Sequence, residues 1–376
     1  MRSAVGWGAA WAAASLLVTG CLGAGTLGDA PPNARCGATP RLLVSANSYP
    51  VTPGATQVYV SAIVVEGSDV YYVLHDDGAD VDYGELIVEP VETGAVMRVP
   101  AGGGQPVQVA DGYLFAPPAF TSTTVILGEA NVVNGGASGG AIVSIPRDGS
   151  PPTTLVELAT NDWLVDFGRP PLVTDGTFVY YVDQLGVEVV PTSPASAGAK
   201  PTLLSSESPI SIGIVGQRLL LFTSGAVESI PLGSSDAATE TTLATGLPDG
   251  AVEVAACGNN ACWLDEPFSV LEEIDPAGGP VKTIANLSGQ FQSTGNVVFD
   301  GTTFFIEGTY AEEVSTGLGT MAIARVPGDG GPSVRLVTVP ETYGGGALAV
   351  DDACVYFASS AGIFSLAKSA EGAVVQ

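Results

Sequence analysis

The chain of 376 residues carries 39 acidic against 12 basic side chains, a formal net charge of −27. A surface of that sign repels phosphate backbones, which excludes nucleic-acid binding, and a hydrophobic content of 46% excludes disorder as the source of the acidity. The acidic residues are spread along the chain and read as a solubilising surface. At the N-terminus, Arg2 precedes an apolar run from about Ala4 to Val18. That run is shorter than the roughly 20 residues a membrane span needs. A basic start, a short apolar stretch and small residues at its end predict a cleaved signal peptide over residues 1–20.

The end of that segment is more specific. Val18-Thr19-Gly20-Cys21 resembles the bacterial lipobox, which implies that Cys21 becomes diacylglyceryl-modified and then the new N-terminus. The alternative is an ordinary signal peptide with an incidental cysteine. Two acyl chains anchor a protein stably, so the chain is expected at the cell envelope, exported and held in a membrane by lipid. Leu22, rather than Asp, follows the cysteine; by resemblance to enterobacterial sorting this favours the outer membrane. Loss of Arg2 leaves 11 basic against 39 acidic residues, or −28. Residues 21–38, rich in Gly, Ala and Pro, read as a flexible tether.

From residue 39 onward a repeat appears. Its best-marked segment reads GAVMRVP (94–100), GAIVSIP (140–146), GVEVVP (186–191) and GAVESIP (225–231). SVLEEID (269–275), TMAIARVP (320–327) and AGIFSLA (361–367) are degenerate copies. The final residues, Pro100, Pro146, Pro191, Pro231, Asp275, Pro327 and Ala367, are 46, 45, 40, 44, 52 and 40 apart. A hairpin element precedes the motif in VVEGSDVYYV (64–73), VTDGTFVYYV (173–182), VFDGTTFFI (298–306) and AVDDACVYFA (349–358). There an apolar strand enters an acidic-glycine turn and an aromatic, β-branched strand leaves it. PVQVA (106–110), TTLVELA (153–159), PTLLSS (201–206) and PVKTIANL (280–287) supply a fourth strand after the motif. Four strands in each of seven repeats predict an all-β fold, a seven-bladed β-propeller of four-stranded antiparallel blades over residues 39–376.

The Asp-Gly turns, VYY strands and proline ends resemble propeller-like repeats of secreted myxobacterial proteins, a likeness that implies fold and not activity. A propeller must close. PRLLVSANS (40–48) looks like a fourth strand that precedes any blade, and is expected to complete the last one. The alternative gives that place to Ala373–Gln376 and leaves 40–48 as a loop.

With Cys21 lipidated, four cysteines remain for an oxidising compartment. Cys257 and Cys262 bracket the hairpin turn Gly258-Asn259-Asn260 and can pair across it. Cys36 and Cys354 would then staple the ring, with free buried thiols as the competing state. The spacing is not that of a zinc site, and no metal or other cofactor is expected.

Catalytic signals are few. His75 is the one histidine, expected on an exposed loop, and no GxSxG elbow surrounds any serine; GASGG (136–140) reads as a loop. Asp76, Asp77, Asp80, Asp82 and Glu85 crowd one insertion, a weak candidate for a hard cation and better read as a solvated acidic loop. The expected function is non-catalytic, with a protein, glycan or small ligand bound on a propeller face. Insertions at 74–93 and 128–139 would serve that role. The alternative is a hydrolase or lyase using carboxylates at the channel mouth.

Overall fold

The computed structural model describes residues 35–50, 58–76, 81–82, 87–88, 93–114, 118–133, 136–158, 172–183, 185–193, 196–234, 240–247, 251–265, 269–310, 321–339 and 347–375. They form a seven-bladed β-propeller. Strand β1 (Arg41–Ser45) comes first, followed by a 3-10 turn, Ala46–Ser48. Blade 1 comprises β2 (Val58–Glu66), β3 (Asp69–Asp76), β6 (Thr93–Pro100) and β7 (Val107–Leu114), with the two-residue strands β4 (Val81–Asp82) and β5 (Ile87–Val88) paired in its insertion. Blade 2 is β8 (Ala119–Phe120), β9 (Thr124–Val133), β10 (Gly136–Pro146) and β11 (Thr153–Leu158). Blade 3 holds β12 (Leu172–Thr174), β13 (Phe178–Asp183), β14 (Gly186–Pro191) and β15 (Thr202–Ser205). In blade 4 stand β16 (Ser211–Val215), β17 (Arg218–Thr223), β18 (Ala226–Pro231) and β19 (Thr241–Thr245).

Blade 5 follows with β20 (Ala251–Cys257), β21 (Asn260–Asp265), β22 (Val270–Ile274) and β23 (Lys282–Asn286). Blade 6 has β24 (Phe291–Phe299), β25 (Thr303–Tyr310), β26 (Met321–Pro327) and β27 (Val334–Val339). Blade 7 contains β28 (Leu348–Val350), β29 (Cys354–Ser359) and β30 (Gly362–Ala367), and β1 completes it, antiparallel to β30. The marked motif residues end the third strand of each blade, and the fourth strand follows. The segment 128–139, expected as an insertion, is instead the far part of the β9–β10 hairpin, and GASGG lies within β10. The ladder runs through it with a register shift between Ala137 and Gly140.

The apolar cores lie between blades. Val70 and Tyr72 pack against Cys354 and Tyr356 across the seam of blades 7 and 1. Corresponding clusters fill the seams from blades 1 and 2 round to blades 6 and 7. Both faces of a second strand are therefore buried, which is why VYYV and CVYF read as near-continuous apolar runs. Each fully buried large side chain contributes roughly 1.5–3 kcal/mol relative to exposure. The seam between the two chain ends is as apolar as the others, so the ring is closed by the same force that holds it elsewhere.

One irregularity recurs in every blade. Register shifts separate Val96 from Met97, Ile142 from Val143, Val187 from Glu188 and Val227 from Glu228. They recur between Leu271 and Glu272, and between Ile323 and Ala324. Each accommodates one extra fourth-strand residue: Val109, Leu155, Leu204, Leu243, Ile284 and Leu336, all apolar. Such a bulge bends a strand and sharpens its twist. In blade 7 the extra residue is Leu43 of β1. The N-terminal strand thus carries the same bulge as the six strands it imitates. Close approach repeats as well. A Cβ on Gly186 would come within 2.1 Å of the Ser205 carbonyl oxygen, and one on Gly362 within 2.0 Å of that of Val44.

Two further devices secure blade 7. Cys36 and Cys354 form a disulfide across 318 residues of sequence. The chain's far end does not compete for the place β1 fills. Instead β31 (Ala373–Val374) crosses to blade 6 and pairs in parallel with β27.

Turn carboxylates add polar latches. Asp175 Oδ1 accepts from the N–H groups of Thr177 and Phe178, and Oδ2 from the Tyr180 hydroxyl. Asp351 repeats the pattern with Ala353, Cys354 and Tyr356. In blade 6 the aromatic residue is Phe305, which has no hydroxyl. Lys368 of blade 7 replaces that donor, its Nζ 2.6 Å from Asp300 Oδ2 and over the Phe305 ring.

Candidate functional site

The third-strand position that follows each bulge holds a carboxylate in three successive blades: Glu188, Glu228 and Glu272. Their surroundings differ. Glu188 faces Tyr181, whose hydroxyl donates to it at 2.7 Å. Glu228 faces Leu221 across the same ladder, and a leucine has nothing to donate. Its carboxyl turns to Glu240, just ahead of β19, and the two share a hydrogen bond. Ser205, at the end of β15, donates its hydroxyl to the Glu240 carboxylate at 3.0 Å and accepts from the Glu207 N–H at 3.1 Å.

Burial, the hydrogen bond to Glu240 and the charges of Glu240 and Glu207 push Glu228 up to about 7, with Thr242 acting in the opposite direction. Two carboxylates so close favour holding one proton between them near neutral pH. The cluster spans the outer strands of blades 3 and 4, away from the ring of first strands. Around the axis, β8, β12, β16, β20, β24, β28 and β2 touch in succession. Among the described side chains of those strands the one carboxylate is Glu66, which pairs with Arg147 at 3.4 Å. Glu307, on a second strand, is buried and accepts from Asn296 Nδ2 at 2.9 Å.

His75 is not on a loop. It lies within β3, half-buried and stacked on Tyr59 with ring centroids 5.6 Å apart. The VYY strand runs three residues beyond Val73, to Asp76, despite the acidic composition that follows. Asp76 ends β3 and Asp82 lies in β4, but their side chains, and Asp77, Asp80 and Glu85 altogether, are outside the described residues, as is Cys21. Cys257 and Cys262 are disulfide-bonded. Glu273 lies close to both sulfurs, but bonded sulfurs offer no thiolate to a metal. Its carboxylate is taken by Asn260 Nδ2 at 2.8 Å and Lys282 Nζ at 3.4 Å.

No protein-family model matches the chain, and no curated protein matches it in sequence. Solved structures do match. A streptogramin B lyase superposes with a TM-score of 0.56 at 9% identity, covering 87% of this chain and 96% of the other. The Niastella koreensis GH74 enzyme gives 0.59 at 14%, over 89% of this chain and 55% of the other. The β-propeller domain of the Trilobed protease from Pyrococcus furiosus, described as having an open velcro topology, gives 0.52 at 12%, over 83% and 93%. The likeness is one of fold. The pairing of β1 with β30 gives this chain a hydrogen-bonded closure, and nothing about catalysis carries over at such identities.

The shared-proton pair was the part of the site that sequence reasoning missed. Its signal was present: a glutamate stands amid the buried third-strand positions of GVEVVP and GAVESIP. The spacing alone did not reveal that Glu240, twelve residues after Glu228, returns beside it.

Proposed function

We propose that the chain is an exported lipoprotein, anchored through Cys21 at the cell envelope with the outer membrane favoured, whose propeller binds a protein, glycan or small ligand on a face of the ring. The observation that carries this reading is the way the N-terminal segment meets the ring. Arg35 pairs with Asp351 at 3.7 Å, Cys36 is bonded to Cys354, and the Ala367 N–H donates to Gly37 O at 2.8 Å. The stretch read as a tether over 21–38 is thus fixed to blade 7 from Arg35 onward, by contacts that composition does not report. Anchor and rigid body are separated by a short piece of chain. Two disulfides suit the oxidising side of a membrane.

No helix among the described residues is long and apolar enough to cross a membrane; in this reading the attachment is the lipid on Cys21. The propeller would work as a rigid scaffold that presents loops. A hydrolase or lyase reading draws on carboxylates at the channel mouth, whereas the shared-proton pair lies on outer strands, which favours binding. Cys21→Ser should leave the protein exported but move it from the membrane to the soluble fraction. A variant that still sediments wholly with membranes refutes the anchor.

A further inference from the structure

We propose that the ring is polarised by its anchor, with one face apposed to an anionic bilayer and the other turned away from it. This rests on the lipidation of Cys21 and adds the direction in which the propeller is held. Strand order defines two faces. First-to-second strand turns, such as 175–177, 216–217 and 351–353, and the third-to-fourth connections lie on one, here the short-turn face. Second-to-third turns, such as 224–225 and 360–361, and the connections leading to the next blade lie on the other.

The N-terminal clamp is at the short-turn face. Asp351 and Cys354 stand at the start of β29, and Ser365, whose hydroxyl donates to Arg35 O at 3.0 Å, stands near the end of β30. The chain preceding Arg35 is therefore joined to the ring at this face. The thirteen residues 22–34 reach about 45 Å at full extension and about 20 Å as a random coil.

Charge is divided in the same direction. Arg147 and Lys368 directly follow third strands, and Arg98 and Arg325 lie near third-strand ends. Arg41 and Lys282 open fourth strands, Arg218 opens a second strand, and Lys200 sits in a third-to-fourth connection. Together with Arg35, these place every described Lys and Arg at the short-turn face except Arg335, whose guanidinium lies over Tyr310. At the opposite face the described residues include Glu157 near the end of a fourth strand, Asp183 at the end of a second strand and Glu207 just after a fourth. An anionic surface repels that face and tolerates the mixed one, within a Debye length of about 8–10 Å. Tether and field act together.

The test uses the lipidated full-length chain in vesicles of phosphatidylglycerol and phosphatidylethanolamine with acceptor-labelled headgroups. Donor dyes are placed on Thr177→Cys or Leu185→Cys, exposed positions at opposite ends of β13, a strand about 20 Å long. A second pair, Gln217→Cys and Ser224→Cys, brackets β17 and guards against a misfolded variant. Energy transfer to the lipid should be at least about twofold greater from positions 177 and 217 than from 185 and 224, given that separation. Equal transfer from both faces of vesicle-bound protein overturns the orientation and leaves the anchor standing, and so does a reversed order. Protein that never associates with the vesicles overturns the anchor, and the orientation with it.

Discussion

Blades 5 and 7 each carry a disulfide, and the two bonds do different work. In blade 5, Cys257 and Cys262 lie five residues apart across a turn that Gly258, at φ 67°, already shapes. The flanking strands are paired there in any case. In blade 7, Cys36 and Cys354 join the two ends of the domain beside a strand that comes from the opposite end of the chain. The same bond thus tightens a local hairpin in one blade and fixes the topology of the whole ring in the other. Crosslinks matter by what they forbid in the unfolded chain, and the long one forbids far more.

The largest expected effect follows from that contrast. Replacing Cys36 and Cys354 together by alanine should lower the melting temperature clearly, while the Cys257→Ala/Cys262→Ala pair should lower it much less. Chain entropy puts the long bridge about 3.5 kcal/mol above the short one, before any strain. That difference is a large part of an ordinary domain's net stability. Thermal unfolding of both double variants, followed by near-ultraviolet circular dichroism, measures it directly. Equal losses would mean that β1 docks just as firmly without its crosslink.

A smaller effect tests the noncovalent side of blade 7. Lys368→Met removes the one donor that replaces a tyrosine hydroxyl beside Asp300 and leaves that carboxylate without its cation. Burial alone would raise Asp300, but hydrogen bonds from Lys368, Thr302 and Thr303 outweigh it and hold the group below the usual carboxylate range. A depressed carboxylate contributes stability above its unfolded pKa and loses it as the pH falls through the folded value. The variant should lose about 1 kcal/mol at neutral pH, a value already reduced for solvent screening. It should also lose part of the wild type's decline on acidification. Urea unfolding at pH 7 and pH 3 reads both, and a loss unchanged with pH would show that only packing was disturbed.

Much of this architecture was legible in the sequence because a propeller repeats itself. The proline-ended motif marked all seven third strands, including the copies ending at Asp275 and Ala367 that lack proline. PRLLVSANS was recognisable as a displaced fourth strand by its likeness to PTLLSS, and both cysteine pairs followed from where their strands lay. The fourth strands of blades 4 and 6, TTLAT and VRLVTV, went unrecognised because no proline leads directly into them as it does in PVQVA, PTLLSS and PVKTIANL. The insertion assigned to 128–139 failed because a long hairpin rich in glycine looks like a loop in one dimension. Charge polarity was hidden for a related reason. Arg98, Arg147, Arg325 and Lys368 all flank the ends of the marked motif, yet a linear reading does not show that those ends share one face.

The smallest predicted effect lies in blade 4, away from both disulfides, and separates local electrostatics from ring closure. Glu228→Gln keeps the size of the side chain and removes the ionisation that burial and Glu240 oppose. Here the sign is opposite to that of Asp300. A carboxyl raised from 4.5 to about 7 in the folded state binds more protons folded than unfolded between those values. Stability therefore falls as the pH rises through that window. Glutamine cannot ionise, so the variant should match the wild type below about pH 4.5 and exceed it at pH 8. The group is largely solvent-screened, so the gain should stay under about 1 kcal/mol. Melting curves at half-unit steps from pH 4 to pH 8.5 would show the two proteins diverging between about pH 4.5 and pH 7 and running parallel above that. In a Cys36→Ala/Cys354→Ala background the divergence should be the same size, because sites far apart with no shared partner add independently. A divergence that disappeared with the disulfide would mean that the seam of blades 3 and 4 depends on closure of blade 7. The ring would then behave as a single strained body rather than seven separately held seams.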